Sequence, residues 1–322
     1  MYNVLITEPK AFCKELIDKI PDNWNIKFKE FDSSADLVNY CATRNFKIIF
    51  CRIGLYYDEN LFNVCKSLEI LATPTTGLDH IHISAAEKKG IKIISIRQKY
   101  EVLNKITSTA EHAWTLLLSL NRNLIKLTEQ VNNGFWDRGN LDLFQLSGKK
   151  LGIIGYGRLG KMIARYGQVF GMSVYINDLN EDKYDNRAFI PVSLDEIFKK
   201  VDHLILAASY KPNDKIICTK ERLFSMKKES TFINISRGEL VDEDALVESY
   251  KEKIITKIGL DVLCGDSNWP RTIDCKSELV KLSKKSRNII ITPHIGGYAH
   301  EAVITARAYL IEQVINYLNL ME

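Results

Sequence analysis

The sequence predicts an α/β protein built as two doubly wound parallel-sheet lobes with a cleft between them. Three observations carry this. The chain has 322 residues, enough for two domains. Short apolar runs alternate with amphipathic stretches along almost its whole length, the pattern of strands joined by crossover helices. A glycine-punctuated turn, GYGRLG at 155–160, opens a second round of that alternation near the middle.

In the first round, strands are expected at 2–7, 26–31, 47–50, 69–73 and 91–96, with amphipathic stretches at 11–20 and 34–42 between them. A long helix is expected from Thr107 to Leu127, because Ala110, Ala113, Trp114, Leu117 and Leu120 recur at three- and four-residue steps. The segment 132–140 breaks the pattern with glycines and polar residues, as a surface connection does. The second round supplies strands at 150–154, 173–177, 203–208, 231–236, 257–262 and 288–293, and 301–320 is helical with its own apolar stripe. The division expected is 1–103 with 300–322 as one domain and 104–299 as the other.

Composition narrows the function. Forty-four basic against 40 acidic side chains give a net charge of +4, dispersed rather than clustered, which argues against a nucleic-acid partner. Seven scattered cysteines form no CxxC pair, which argues against a disulfide framework or a metal site and fits a reducing compartment. The start MYNVLITEPK lacks a basic region followed by an apolar stretch, and no run reaches the roughly 18 apolar residues of a membrane span. The expectation is a cytoplasmic protein without a membrane partner.

The turn at 155–160 follows the apolar run KLGII and precedes the helical KMIARYGQVF, the context in which GxGxxG reads as a Rossmann-like dinucleotide site. Gly155 permits the tight turn before Tyr156, Gly157 lets backbone amides approach a pyrophosphate, and Gly160 lets helix and strand pack closely. Helix N–H groups then stabilise the phosphate charge. Asp178 ends the next strand, where a carboxylate accepts both ribose hydroxyls and repels a 2′-phosphate. Leu179, Asn180 and Glu181 offer no arginine for such a phosphate, so NAD is expected rather than NADP.

Three later segments put polar residues just past strands: Arg237 in INISRGELVDEDAL, Asp261 and Asp266 in GLDVLCGD, and His294 in ITPHIGG. Ligands in open α/β sheets bind at that edge. With TTGLDHI at 75–81 and TSTAEHAWTLLLSLNR at 107–122, these blocks resemble the D-isomer-specific 2-hydroxyacid dehydrogenase family over essentially the full length.

The resemblance implies an NAD-dependent oxidoreductase interconverting a small 2-oxo acid and its 2-hydroxy acid, and a homodimer. It makes His294 the proton donor, Arg237 the clamp on the substrate carboxylate, and Asp266 the acid paired with the histidine. The amides of Arg158 and Leu159 then face the pyrophosphate, and Ala208 lines the cofactor through its backbone. Ile235 and Ser236 line the nicotinamide side, Asp261 approaches the carboxamide, and Gly297 closes the pocket. Thr76 lies near the cofactor and Gly77 near the substrate, and Arg52 matches a position that in some relatives meets a distal anion.

Two departures stand out. Asp266 replaces the family's usual glutamate and is one methylene shorter, and Ala207 and Ser209 replace a histidine and a proline. His112 and His203 read as structural, whereas His80 and His82 follow a glycine turn and are open to a secondary contact. Two rival functions remain: a non-catalytic dinucleotide-sensing protein, and a dehydrogenase of formate or phosphite.

Overall fold

The structure, a computed structural model, describes residues 1–139, 142–180, 182, 184, 188–211, 214–266 and 277–321. Of the residues named above, Asn140 and Glu181 lie outside these. The chain divides into two compact units. It passes between them after Ile106 and after Gly297, a few residues from 103 and 299, and also after Gly265. Val102, Leu103 and Ile106 are buried in the first unit's core, and Tyr298 donates to Glu8 of that unit, which moves the crossings after Ile106 and Gly297.

The first unit holds strands β1 (Tyr2–Ile6), β2 (Trp24–Phe28), β3 (Ile48–Phe50), β4 (Ile70–Thr73) and β5 (Lys92–Ser95). They are parallel, in the order β2-β1-β3-β4-β5. Strand side chains alternate between faces, and the cores follow that alternation. Val4, Ile6, Ile48, Phe50, Ile70 and Ala72 enter one core, which also takes Leu310, Ile311 and Val314 of the helix His300–Asn319. Leu5, Ile49 and Leu71 point the other way, onto Leu37, Leu61 and Ala86. Helix starts are set by local chemistry: Ser33 accepts from the Asp36 amide, and Asp58 from those of Asn60 and Leu61.

The second unit holds β6 (Lys150–Ile154), β7 (Ser173–Asn177), β8 (Ile190–Pro191), β9 (His203–Leu206), β10 (Ser230–Asn234), β11 (Ile255–Leu260) and β12 (Ile289–Ile291). The order is β12-β11-β10-β9-β6-β7-β8, again all parallel. Strand succession therefore reverses between β6 and β9, where a doubly wound sheet opens its ligand crevice. Strand β8 was not expected; it is two residues long, and its proline is tolerated at the sheet edge.

Two helices differ from expectation. The one foreseen at 107–127 is two, Ser108–Asn121 and Leu124–Asn132, because Asn123 takes a left-handed conformation with φ 46°. Asparagine is among the few residues that enter that region readily. The stretch 11–20 reduces to a 3-10 turn, Pro9–Ala11, and a short helix, Lys14–Ile17.

His203 opens β9 fully inside the unit, and neither ring nitrogen has a hydrogen-bond partner among the described residues. Burial holds its imidazole down from the usual 6.5 to about 4. The unfolded chain takes up the proton near 6.5 and the folded one only near 4, so stability falls as pH drops through that window. At 1.4 kcal/mol per unit the loss is about 3 kcal/mol. His203→Leu is expected to flatten this part of the acid limb in denaturant titrations between pH 6.5 and 4. Equal slopes for variant and wild type would refute it.

Candidate active site

Every strand of the second sheet ends at the same edge, and the predicted residues fall along it in spatial order. Asp178 follows β7, the glycine turn follows β6, and Ala207 and Ala208 follow β9. Ile235 to Arg237 follow β10, Asp261 follows β11, and the segment Thr292 to Gly297 follows β12. From β6 to β12 is four strand spacings, roughly 19 Å, so the edge offers one continuous rim for an extended dinucleotide.

The turn has the geometry that a dinucleotide requires. Gly155 sits at φ +94°, and a Cβ there would meet the Ala208 backbone at 2.5 Å. A Cβ on Gly160 would lie 2.0 Å from the Gly155 carbonyl oxygen. Around Gly157 the space is open: among the described residues no atom lies within 4 Å of where a Cβ would stand, and no side chain caps the helix Arg158–Val169 that begins there. An uncapped helix N-terminus beside open space suits a phosphate.

Asp178 is held facing the turn. Its Oδ2 accepts from the Tyr156 amide at 2.8 Å, its Oδ1 from the Asn180 amide at 2.9 Å, and its own amide donates to the Tyr184 hydroxyl.

The end of β10 is laced to its neighbours. The Ser236 hydroxyl donates to the Ala208 carbonyl, tying β10 to β9 at the reversal point. Asn234, buried, accepts from the Ser236 amide at 2.9 Å and donates to the Arg237 carbonyl at 3.0 Å. Arg237 is half-buried and extended, with Nη1 donating to the Ser236 carbonyl at 2.8 Å. Beyond β11, the amides of Cys264 and Gly265 donate to Glu243 and Glu239, which hold the loop leading to Asp266. Asp266 groups with the first unit, outside the division expected for it.

His294 is half-buried and takes φ +55°. Its amide donates to the Asp261 and Thr292 carbonyls at 2.9 Å each. The Asp261 carboxylate accepts from the Thr292 hydroxyl at 2.6 Å and from the amides of Ile295 and Gly296 at 2.9 and 2.7 Å, with His112 Nε2 at 3.3 Å. Burial works against the charge of Asp261, but these hydrogen bonds outweigh it and hold the carboxyl below its usual value. Sequence reasoning marked Asp261 for the cofactor and did not see that it organises the histidine loop. Nor did it find Asn234, His112 or Thr292. Their polar side chains at buried or half-buried strand and helix positions were the available signal.

In the first unit, Arg52 and the residues Thr75 to Gly77 follow β3 and β4, adjacent strands. Thr73 bonds the Thr75 hydroxyl and His80 Nε2, at 2.9 and 3.0 Å, and Thr75 donates to the Gly77 carbonyl at 2.7 Å. His80 is thus a buried brace for this turn. Arg52 Nη2 donates to the Phe31 carbonyl at 3.0 Å, while its Nε is buried without a hydrogen-bond partner among the described residues.

A glycine turn at the reversal point of a parallel sheet, with acid, arginine and histidine on successive strand ends, defines a dinucleotide-dependent oxidoreductase. Comparison with known proteins agrees. The family model described as D-isomer specific 2-hydroxyacid dehydrogenase, NAD binding domain, matches residues 114–296. A hydroxypyruvate reductase of Thermotoga maritima is 30% identical over 85% of this chain and 85% of its own. A glyoxylate reductase of Pyrococcus furiosus is 31% identical over 76% of this chain and 71% of its own. The D-lactate dehydrogenase of Aquifex aeolicus, solved with NAD and lactic acid, superposes with a TM-score of 0.78 at 25% identity, covering 98% of this chain and 95% of that one. The chain belongs to the D-isomer specific 2-hydroxyacid dehydrogenase family, with a nicotinamide dinucleotide as cofactor.

Among the described residues no helix is long and apolar enough to cross a membrane, and no cluster of histidine, cysteine and acidic residues is arranged for a metal ion.

Proposed function

We propose that this protein reduces a small 2-oxo acid to its D-2-hydroxy acid with His294 as proton donor and Arg237 as carboxylate clamp. The observation that carries this is their placement: strand ends β10 and β12, flanking β11, on the edge that bears the glycine turn. When bound, the reduced dinucleotide supplies the hydride to the carbonyl carbon. The oxygen left behind gathers negative charge, and the His294 imidazolium delivers the proton that makes it a hydroxyl. In the reverse direction the neutral ring takes that proton back. Arg237 is always charged and forks to two carboxylate oxygens, fixing the substrate while polarising the carbonyl. Asp266 is assigned as the acid paired with His294.

The distal end of the substrate is assigned to Arg52 and Gly77, and the half-enclosed guanidinium of Arg52 favours an acid with a polar or anionic tail. Thr76 is assigned to the cofactor with Ile235, Ser236, Ala208 and Gly297. We assign the protein to the cytoplasm and to a homodimer. The helix Leu124–Asn132 buries none of its residues, and Leu124, Phe135 and Trp136 are 55%, 64% and 77% exposed, as for a face that a second copy covers. Sedimentation as a monomer at micromolar concentration would remove the dimer.

The test is oxidation of NADH and NADPH against glyoxylate, pyruvate, hydroxypyruvate, 3-phosphohydroxypyruvate and longer 2-oxo acids. Turnover with NADH is expected, and binding of NADH with no turnover on any acid would instead favour a sensing protein. Asp178→Ala is expected to raise the KM for NADH roughly ten- to a hundredfold, the worth of one or two charge-assisted hydrogen bonds, and to narrow the preference over NADPH. An unchanged NADH/NADPH ratio would unseat Asp178 as the selector.

A further inference from the structure

We infer that His112 is a positioning residue for the proton-donating His294, acting through Thr292 and Asp261. It lies on the helix Ser108–Asn121, far away in sequence, and its side chain is 14% exposed. Its Nε2 is 2.8 Å from Thr292 Oγ1 and 3.3 Å from Asp261 Oδ1.

The hydrogen positions follow from chemistry. Asp261 is ionised and accepts only, so the 2.6 Å contact uses the hydrogen of the Thr292 hydroxyl. That hydroxyl then accepts from His112, whose hydrogen must sit on Nε2. The result is a chain with one direction, from the His112 N–H to the Thr292 O–H to the Asp261 carboxylate. The same oxygen, Oδ1, also accepts from the Ile295 amide at 2.9 Å, and Oδ2 accepts from the Gly296 amide at 2.7 Å.

His294 sits between these anchors, two residues after Thr292 and one before Ile295. Its left-handed backbone is uncommon for a residue with a Cβ and persists only where neighbours over-determine it. The hydrogen bonds to Asp261 supply that constraint on both sides, and a chain of such bonds strengthens each member. Loss of the His112 N–H leaves Thr292 free to turn its hydrogen elsewhere. The anchor on the amino-terminal side of His294 then loosens, while the helix around His112 is otherwise held by Ala110, Ala113, Trp114 and Leu117.

This inference rests on the assignment of His294 as proton donor, so its test reads the loop separately from turnover. Wild type, His112→Leu and His112→Gln are compared, the glutamine keeping an N–H at a similar reach. The first readout is hydrogen exchange of the peptide covering 292–297, and the second is kcat, KM and the NADH dissociation constant. The expected result is faster exchange in His112→Leu, with kcat down at least tenfold and NADH binding within threefold, both restored by His112→Gln.

Unchanged exchange in His112→Leu overturns the inference, as does a glutamine variant as poor as the leucine one. Inactivity of wild type on every 2-oxo acid would instead refute the functional reading, and the exchange comparison would still decide whether His112 holds the loop.

Discussion

Replacing His294 with asparagine is expected to lower kcat for 2-oxo acid reduction by roughly 10²–10⁴-fold, the usual worth of a positioned acid, with NADH binding intact. Asparagine is the informative choice because of the backbone. His294 sits at φ +55°, a region asparagine enters readily, whereas alanine there costs about 1–2 kcal/mol. His294→Asn should therefore keep the wild-type melting temperature, and His294→Ala should lower it. Both lose turnover, since neither side chain can deliver a proton near neutral pH. Steady-state kinetics with thermal melts separate the two effects. If His294→Asn retained turnover within a few-fold of wild type, the proton would have to come from elsewhere.

The second large effect is at the glycine turn. Gly160→Ala places a methyl 2.0 Å from the Gly155 carbonyl oxygen and 3.0 Å from its carbon, distances no packed methyl tolerates. Helix Arg158–Val169 must shift away from β6, and the expected cost is about 1–3 kcal/mol or more, with NADH affinity reduced at least tenfold because the helix N-terminus moves. Gly157→Ala makes the contrast, since nothing among the described residues lies within 4 Å of the added methyl. That variant should melt like wild type and still lose NADH affinity, because the methyl fills the space a phosphate needs. The measurements are melting temperature and NADH titration by fluorescence. Equal NADH affinity for Gly157→Ala and wild type would place the phosphates elsewhere.

Much of this was legible before any coordinates. The alternation of apolar runs located eleven of the twelve strands found among the described residues, to within a few residues at each end, because parallel strands buried on both faces need near-continuous apolar sequence. The missing one, Ile190–Pro191, is a two-residue edge strand with no core to fill. The break at Asn123 was overlooked because the apolar stripe continues across it, and a single left-handed residue leaves hydrophobic spacing untouched.

The candidate site divides in the same way. The places of Gly155, Gly157, Gly160, Asp178, Arg237, Asp261 and His294 past the strands were readable because each is a residue type that a turn, an open helix end or a polar strand end demands, while the roles we propose for Arg237 and His294 come from the resemblance. His112 was not readable, because its partner's position depends on packing, whereas Asn234 was overlooked although its partners Ser236 and Arg237 lie only two and three residues on. His112 meets Thr292, 180 residues away, and nothing near it in the chain announces that.

By itself the sequence determined the class of fold and the glycine turn, since local propensity and residue chemistry set both, and its resemblance to a known family supplied the acid–base and clamp roles that we propose. The tertiary structure decided the order of the strands, and with it which side chains share the reactive edge. It also decided how the Asp261 carboxylate gathers contacts from two separate segments of the sequence, the helix bearing His112 and the stretch 292–296 that contains His294. Those are consequences of hydrogen bonds and packing between distant segments, which come into being only when the sheet assembles.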